Sequence, residues 1–487
     1  TTGIARDALA GQISAQWPFT RRSHTVAIHG VSTETAAART LFVSLRRDTG
    51  RSGRPAVEVA RVSAENAAKS GYEDLLSGHK REWAVLWKSD ILIDGDREAQ
   101  SIVRKALFDL RQSIAKSSTD SVAPEGLAGD FYKGHVFWDA EIWMFPALLL
   151  QSPDLARTLL DYRFARLSEA RRRAQAGGYR GADFPWESAR TGKETAPSGF
   201  SEGRHVTAGV GWAVLRYWEA TSDERWTRER GWPMLSGVCD FFVSRAKKTP
   251  SGYSLEKVTG PDELEMGVDD NAYTNSMVKR VLTEASELGG QLGLPVPAAW
   301  KTVATSLVIP FDSERNAYLK VRGDKLRKTK QADGELLFWP AELKMKESTA
   351  NATFALHKAR PIKNGPAMTS SIHALAAARL GDVKTVESAF RESYRPFVRG
   401  PFLLFSEKRS LDRCVFLTGW GGVIDAIGYG MARFDSKTPN TAKTAKPTLP
   451  AGWSRLRING VHSRGKRYDL EVSADSIAVT PSVNETE

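Results

Sequence analysis

The chain has 487 residues, of which 41% are hydrophobic, enough to bury a large core and, at ~100–200 residues per domain, to form two to four domains. Its net charge of +12 comes from 69 basic residues largely interspersed with 57 acidic ones. The densest basic pieces, Arg171-Arg172-Arg173 and Arg322 to Lys330, carry no helix-turn-helix or RNA-binding signature, so nucleic acid is not the expected partner.

Cys239 and Cys414 are too few and too far apart for a metal cluster or a disulfide framework. There is no HExxH motif, and no apolar run reaches the ~20 residues of a membrane span. Thr1 to Pro18 lacks the basic start and apolar centre of a signal peptide. A chain that opens on Thr1 is expected to have lost an upstream segment, or to follow one on another chain.

The first residues alternate as strands do, over His24 to Val31, Thr40 to Leu45 and Ala56 to Val62. Three strands make a poor independent sheet, so residues 1–62 are expected to be the C-terminal part of a β-sandwich whose other strands lie upstream. From Ser63 the pattern turns helical, with Leu75, Leu76, His79, Trp83, Leu86 and Trp87 on one face. After Asp96, Ile102, Val103, Ala106, Leu107, Leu110 and Ile114 keep helical spacing. Residues 63–116 thus read as a helical linker.

Residues 117–435 carry helical periodicity throughout, broken by long loops rich in Gly, Pro and Asp. Stripes run through Leu155, Leu159, Leu160, Phe164 and Leu167, and through Val278, Val281, Leu282, Ala285, Leu288 and Leu292. Further helices are expected over Thr207 to Ala220, Trp232 to Arg245, Ala367 to Leu380, Val383 to Phe397 and Phe416 to Met431, with no strand between them. Long loops in a compact domain are usually functional. Residues 436–487 return to β, with a Lys/Thr/Pro-rich linker to Pro450 and then strands at Arg455 to Val461, Tyr468 to Val472 and Ile477 to Thr480 around a turn at Arg464-Gly465.

The polar motifs gather at these loops and helix starts. Gly134 to Met144 reads GHVFWDAEIWM; indole faces beside carboxylates suit a sugar, whose C–H face packs on an aromatic ring while its hydroxyls need acceptors. The competing reading is a core helix whose acids cap its first turn. Gly260-Pro261-Asp262-Glu263 ends a loop ahead of Asp269, Asp270, Asn271, Tyr273 and Asn275. Phe402 to Glu407 reads FLLFSE, an apolar run ending in a carboxylate that burial would hold towards its neutral form, as a general acid or a base working near neutrality requires. Two carboxylates flanking a glycosidic bond are the minimum machinery for its hydrolysis.

Six segments in order resemble glycoside hydrolase family 65: GHVFWDAEIWMFPALLLQSPDLAR (134–157), GYRGADFPWESARTGKE (178–194), GPDE with VDDNAYTN (260–275), KQAD (330–333), GPAMTSS (365–371) and FLTGWGG (416–422). The resemblance is nearest to the branch holding protein-glucosylgalactosylhydroxylysine glucosidases, kojibiose-type α-glucosidases and acid trehalases. It implies a mainly α chain with an (α/α)6 barrel over 117–435, flanked by the incomplete N-terminal β-sandwich and a small C-terminal β domain. It implies Glu263 as general acid and Glu407 as the base that deprotonates water. By the same resemblance Trp138 and Asp139 would hold the nonreducing glucose, Lys330 and Gln331 would contact the same sugar, and Trp186 and Glu187 would support the pocket wall.

The implied activity is inverting, exo-acting hydrolysis of an α-linked disaccharide or glucosyl-galactosyl glycoconjugate, with no metal and no organic cofactor. A phosphorylase, in which phosphate replaces water and no base is needed, is the alternative; a non-catalytic sugar-binding homologue is a further one. His373, after Thr369-Ser370-Ser371, is the residue that keeps the phosphorylase reading in play. This chain departs from the family pattern at Leu264-Glu265, where Tyr-His is usual, and at Lys408-Arg409-Ser410, where relatives continue with Asn.

Overall fold

A computed structural model describes residues 5–6, 12–17, 24–34, 39–47, 55–116, 118–127, 129, 131–411, 415–438 and 446–482. Cys414 and part of the expected 436–450 linker lie outside the described residues. The chain divides into two compact units, Thr1–Lys88 and Ser89–Glu487.

In the first unit the strands Ala5–Arg6, Gln12–Trp17, His24–Glu34 and Arg39–Arg47 form an antiparallel sheet in sequence order. Along the last strand Phe42 is buried while Leu41, Val43 and Leu45 are exposed, the alternation of a sheet with one covered face. The segment Ala56 to Val62, expected as a strand, is instead the start of the helix Ala56–Ser70, which packs on the two longest strands. The reason is visible in its small residues: Ala56, Ala60 and Ala64 are buried at i, i+4 spacing, whereas the alternating Val57 and Val59 that suggested a strand fall outside that stripe. A second helix follows over Tyr72–Leu86.

The second unit is mainly helical. Its longer helices are Arg97–Gln112, Pro153–Phe164, His205–Thr221, Trp232–Arg245, Ala272–Leu292, Glu347–Lys358, Met368–Leu380 and Val383–Glu392. Their starts follow local chemistry: Asp96 accepts from the Ala99 amide at 3.0 Å, and Asn271 from the Thr274 amide at 2.8 Å. Gly293, at φ 64°, ends the longest of them in the left-handed conformation that glycine adopts without strain. His205–Thr221 packs against Pro153–Phe164, Trp232–Arg245 and Ala272–Leu292, and Leu417–Asp425 packs against Met368–Leu380 and Arg97–Gln112.

Three differences from the expected helices stand out. Val383–Glu392 stops short of Phe397, and short ribbons appear where no strand was expected: Lys247–Thr249 with Gly252–Ser254, Phe311–Asp312 with Ala317–Tyr318, and Val398–Arg399 with Leu404–Phe405. The run expected to end at Met431 divides into the α-helix Leu417–Asp425 and a π-helical turn Ala426–Met431. The ribbon strands, of two or three residues each, are too short to leave a period in the sequence.

The C-terminal strands Arg455–Ser463, Lys466–Val472 and Ile477–Pro481 form a meander, and Arg464 and Gly465, both at positive φ, make its first turn. The sheet gains a fourth strand from Ile91–Asp94, which pairs antiparallel with Arg455–Ser463 and buries Ile91 and Ile93. That strand lies within the stretch read from sequence as helical linker. Among the described residues no helix is long and apolar enough to cross a membrane.

The helical core is rich in indoles, with Trp143, Trp212, Trp300 and Trp420 fully buried. Trp420 Nε1 donates to Asp109 at 2.8 Å, which satisfies its one polar atom. Glu141 and Arg163, each 1% exposed, form a bidentate pair at 2.7 and 2.8 Å. Glu141 therefore serves the core, and the polar residues of GHVFWDAEIWM divide between core and site.

Candidate active site

A cavity of about 450 Å³ opens in the helical unit, lined in part by Trp138, Asp139, Trp186, Glu263, Lys330, Gln331 and Glu407. Every site residue expected from sequence except Glu187 is on its wall. A separate cavity of about 370 Å³, lined by Trp212, Arg216, Trp339 and Tyr429 among others, contains none of them.

Trp138 and Asp139 are positioned by two contacts. Val136 and Ser188 exchange backbone hydrogen bonds at 2.7 and 3.0 Å, tying this segment to the FPWES loop, and the π-helical turn Ala140–Met144 begins directly after Asp139. Such turns are frequent at functional sites. Asp139 is buried, and loss of hydration pushes its carboxyl up to about 7, against the pull of the Thr418 hydroxyl, which donates to Oδ2 at 2.8 Å. The charges of Glu407 and Glu263 add to the rise. Trp138 packs edge-on against His205, whose Nδ1 meets the Thr259 carbonyl at 3.2 Å. Burial pushes that imidazole down to about 4, so it is neutral near pH 7.

The GPDE loop is held from below. Gly260 has no room for a side chain: a Cβ there would lie 2.4 Å from Asn271 Nδ2 and 2.6 Å from Asp333 Oδ2. Asp333 accepts from the Asp262 amide at 3.1 Å and from Asn271 Nδ2 at 2.9 Å, and burial pushes its carboxyl up to about 7. Asp262 accepts from the Lys330 amide at 2.8 Å and from the buried Lys320 ammonium at 2.6 Å. These bonds bring Glu263 and Lys330 together although they lie far apart in sequence. Lys330 Nζ sits 2.5 Å from Glu263 Oε2, and Gln331 Nε2 lies 3.4 Å from Oε1.

The unusual Leu264-Glu265 also finds a place. Leu264 is 60% exposed, and Glu265 accepts from the same Lys320 ammonium at 2.6 Å, so the residue that replaces the expected His is bound to the loop's own anchor.

Glu407 follows the strand Leu404–Phe405, and its carbonyl accepts from the Ala367 amide at 3.1 Å. Only part of FLLFSE forms an apolar wall: Phe405 is buried against Phe397 and Trp420, but Phe402 and Leu404 are exposed. The Glu407 side chain is nevertheless buried, and that burial raises its pKa. The Lys408 charge, the Tyr132 hydroxyl and the Lys330 charge oppose the rise, while Glu125 adds to it. Arg409 turns outward to the Lys363 carbonyl, at 2.6 Å, and to Glu392.

Trp186, half-buried, meets Phe137 edge-on and Phe200 at a tilt, an aromatic wall on one side of the cavity. Glu187 is not among the lining residues; its Oε1 lies 2.5 Å from His135 Nδ1. His373 is likewise engaged elsewhere, its Nε2 3.0 Å from Glu335 Oε1. Pro124, Tyr132, Phe137, Pro366, Met368 and Phe416 complete the wall and were not singled out from sequence. For Tyr132 the available signal was its place in the aromatic run that precedes Gly134.

Residues 104–323 match the model of the glycosyl hydrolase family 65 central catalytic domain. The kojibiose hydrolase of Flavobacterium johnsoniae is 36% identical over 414 residues, covering 83% of this chain and 60% of that protein. The protein-glucosylgalactosylhydroxylysine glucosidase of Danio rerio is 32% identical, with 87% and 68% of the two chains covered. The kojibiose phosphorylase of Halothermothrix orenii is 28% identical, with 87% and 61% covered. A solved structure of a kojibiose-phosphorylase-type protein from the human microbiome superposes with TM-score 0.79 over 99% of this chain and 74% of the other, at 20% identity. The chain spans 60% of the length of the first two of the curated relatives it matches.

Proposed function

This chain belongs to glycoside hydrolase family 65, and we propose that it is an inverting, exo-acting hydrolase that releases glucose from an α-glucoside. One observation carries the reading: two carboxylates from distant loops, Glu263 and Glu407, share the wall of one cavity with an indole, an acid, an amine and an amide suited to hold a single sugar. The relatives named kojibiose hydrolase and protein-glucosylgalactosylhydroxylysine glucosidase support an α-linked disaccharide or a glucosyl-galactosyl glycoconjugate as the substrate class.

In this reading the glucose ring packs on Trp138, and Asp139 and Gln331 hydrogen-bond its hydroxyls. Lys330 exchanges its contact with Glu263 for a sugar hydroxyl. Glu263 gives its proton to the glycosidic oxygen as the C–O bond breaks. Glu407 takes a proton from the water that attacks the opposite face, so β-glucose and the free aglycone leave and the two acids re-equilibrate with solvent. Inverting enzymes hold their carboxyls ~6.5–9.5 Å apart to admit that water. Burial of Glu407 keeps it basic enough to take the proton.

The helical unit is read as an (α/α)6 barrel with its pocket at one rim, a reading supported by the likeness in fold to the phosphorylase-type structure. The exposed stripe Leu41, Val43 and Leu45 supports taking the first sheet as one layer of a β-sandwich completed by further polypeptide. Hydrolysis is preferred to phosphorolysis because a buried carboxylate at Glu407 would repel phosphate from the face it must attack. Incubation with kojibiose, nigerose, maltose and trehalose, with and without phosphate, tests the proposal: free glucose is expected in both conditions, and glucose 1-phosphate as the main product would reverse it.

A further inference from the structure

The FPWES loop lies outside every helix and, apart from the bridge of Ser188 to Val136, outside every sheet. Its backbone N–H groups must find acceptors elsewhere. Glu194, which closes the motif GYRGADFPWESARTGKE and is not among the residues lining the cavity, supplies them. Its Oε2 accepts from the Trp186 amide at 2.8 Å, and its Oε1 from the Glu187, Thr195 and Ala196 amides at 3.0, 3.1 and 3.1 Å. One carboxylate thus gathers main-chain donors from both ends of the loop, a stronger tie than a neutral acceptor would give.

Arg173 braces this carboxylate. Its guanidinium lies 3.1 Å from Glu194 Oε2 and 3.2 Å from Asp183 Oδ2, and it donates to the Ser201 carbonyl at 2.6 Å. Ser201 follows Phe200, whose ring centroid is 5.1 Å from that of Trp186. The fork of Arg173 therefore ties down the segments on both sides of the Trp186–Phe200 contact. The indole has no slack towards Gly203, where a Cβ would lie 2.2 Å from Trp186 Cδ1. Arg173 and Glu194 both line a separate surface cleft, so the Trp186 wall is set from outside the cavity.

Resting on the reading of this cavity as the sugar site, we propose that Glu194, braced by Arg173, is a positioning residue that sets the Trp186 indole against the substrate. A wall that contacts the substrate equally before and during the reaction contributes uniform binding, so its displacement raises KM and spares kcat.

Glu194→Gln retains the size of the side chain, but its NH2 must face either the Trp186 amide or the other three, donor against donor. On a disaccharide that the wild type hydrolyses, KM is expected to rise about tenfold with kcat changed by less than about threefold. Arg173→Lys keeps the charge, loses the fork and should raise KM by a smaller factor; it carries the same test if Glu194→Gln does not fold. A merely structural defect would reduce the active fraction, lowering kcat at unchanged KM. The decisive measurement repeats the substitution in Trp186→Ala, where KM should change by less than about threefold further, because the wall that Glu194 sets is gone. Unchanged KM in the folded variants, or an equal rise with and without the indole, overturns the positioning role, while glucose release by the wild type leaves the hydrolase reading standing. A wild type inactive on every α-glucoside overturns both.

Discussion

Lys330 Nζ lies 2.5 Å from Glu263 Oε2, so the cation expected to bind glucose rests on the acid expected to cleave it. The same ammonium also faces Glu407 and lowers that carboxyl's affinity for a proton. One side chain thus lines the sugar pocket, touches the acid and acts on the base through its charge. Lys330→Ala is expected to lower kcat/KM about 10- to 100-fold, the worth of a charged hydrogen bond. Because Lys330 opposes the upward shift of Glu407, its loss should also move the acid limb of the pH–rate profile to higher pH. A profile that keeps its acid limb would remove Lys330 from the neighbourhood of the base.

Glu263→Gln retains the shape of the side chain and loses the proton. The expected result is a fall in kcat of at least about 100-fold on a natural disaccharide. An aryl α-glucoside with a good leaving group should suffer less, since it needs little protonation. Retention of more than about a tenth of wild-type kcat on the disaccharide would exclude Glu263 as the acid.

Asp139 links function to stability. Its carboxyl is held at about 7 in the fold by burial, far above the ordinary range for aspartate in an unfolded chain. A group with a raised folded pKa contributes most below its unfolded pKa, and that contribution is lost as pH rises through the folded value. Asp139→Asn should therefore leave stability nearly unchanged at pH 4, stabilise increasingly up to pH 7, and hold a constant gain above it, on the order of 4 kcal/mol. The variant should at the same time lose most activity. Denaturant midpoints across pH 4–8 check the sign, and a gain confined to acid pH would contradict the assignment.

Arg163 and Glu141 are expected to matter for the fold and only indirectly for the reaction. Arg163→Met strands a buried carboxylate and should cost ~3–5 kcal/mol, whereas the double change Arg163→Met with Glu141→Leu should recover most of it. Urea unfolding of the single and double variants measures the difference.

The parts of this protein that the sequence disclosed are those with a long period or a dense motif. The stripe from Val278 to Leu292 became the helix Ala272–Leu292, and of the expected site residues all but Glu187 line a single cavity. What escaped notice depended on partners remote in sequence. Ile91–Asp94 is a strand only because Arg455–Ser463 lies beside it, and four residues leave no clear pattern. Ala56, Ala60 and Ala64 hid a helix because the alternating valines between them are the stronger apolar signal. Tyr132 joined the cavity wall from outside the quoted motifs, and Glu187 pairs with His135 and is not among the lining residues. Phe402 and Leu404 show the converse: an apolar run predicts burial only where the fold supplies a neighbour.

The central claim is that water, activated opposite Glu263, attacks the anomeric carbon of an α-glucoside. Proton NMR of the first-formed product, recorded before mutarotation and in the presence of phosphate, tests it most directly. β-Glucose as the initial product, with the α-anomer appearing only at the rate of mutarotation, is the predicted result. α-Glucose formed first would contradict inversion, and glucose 1-phosphate in its place would contradict hydrolysis.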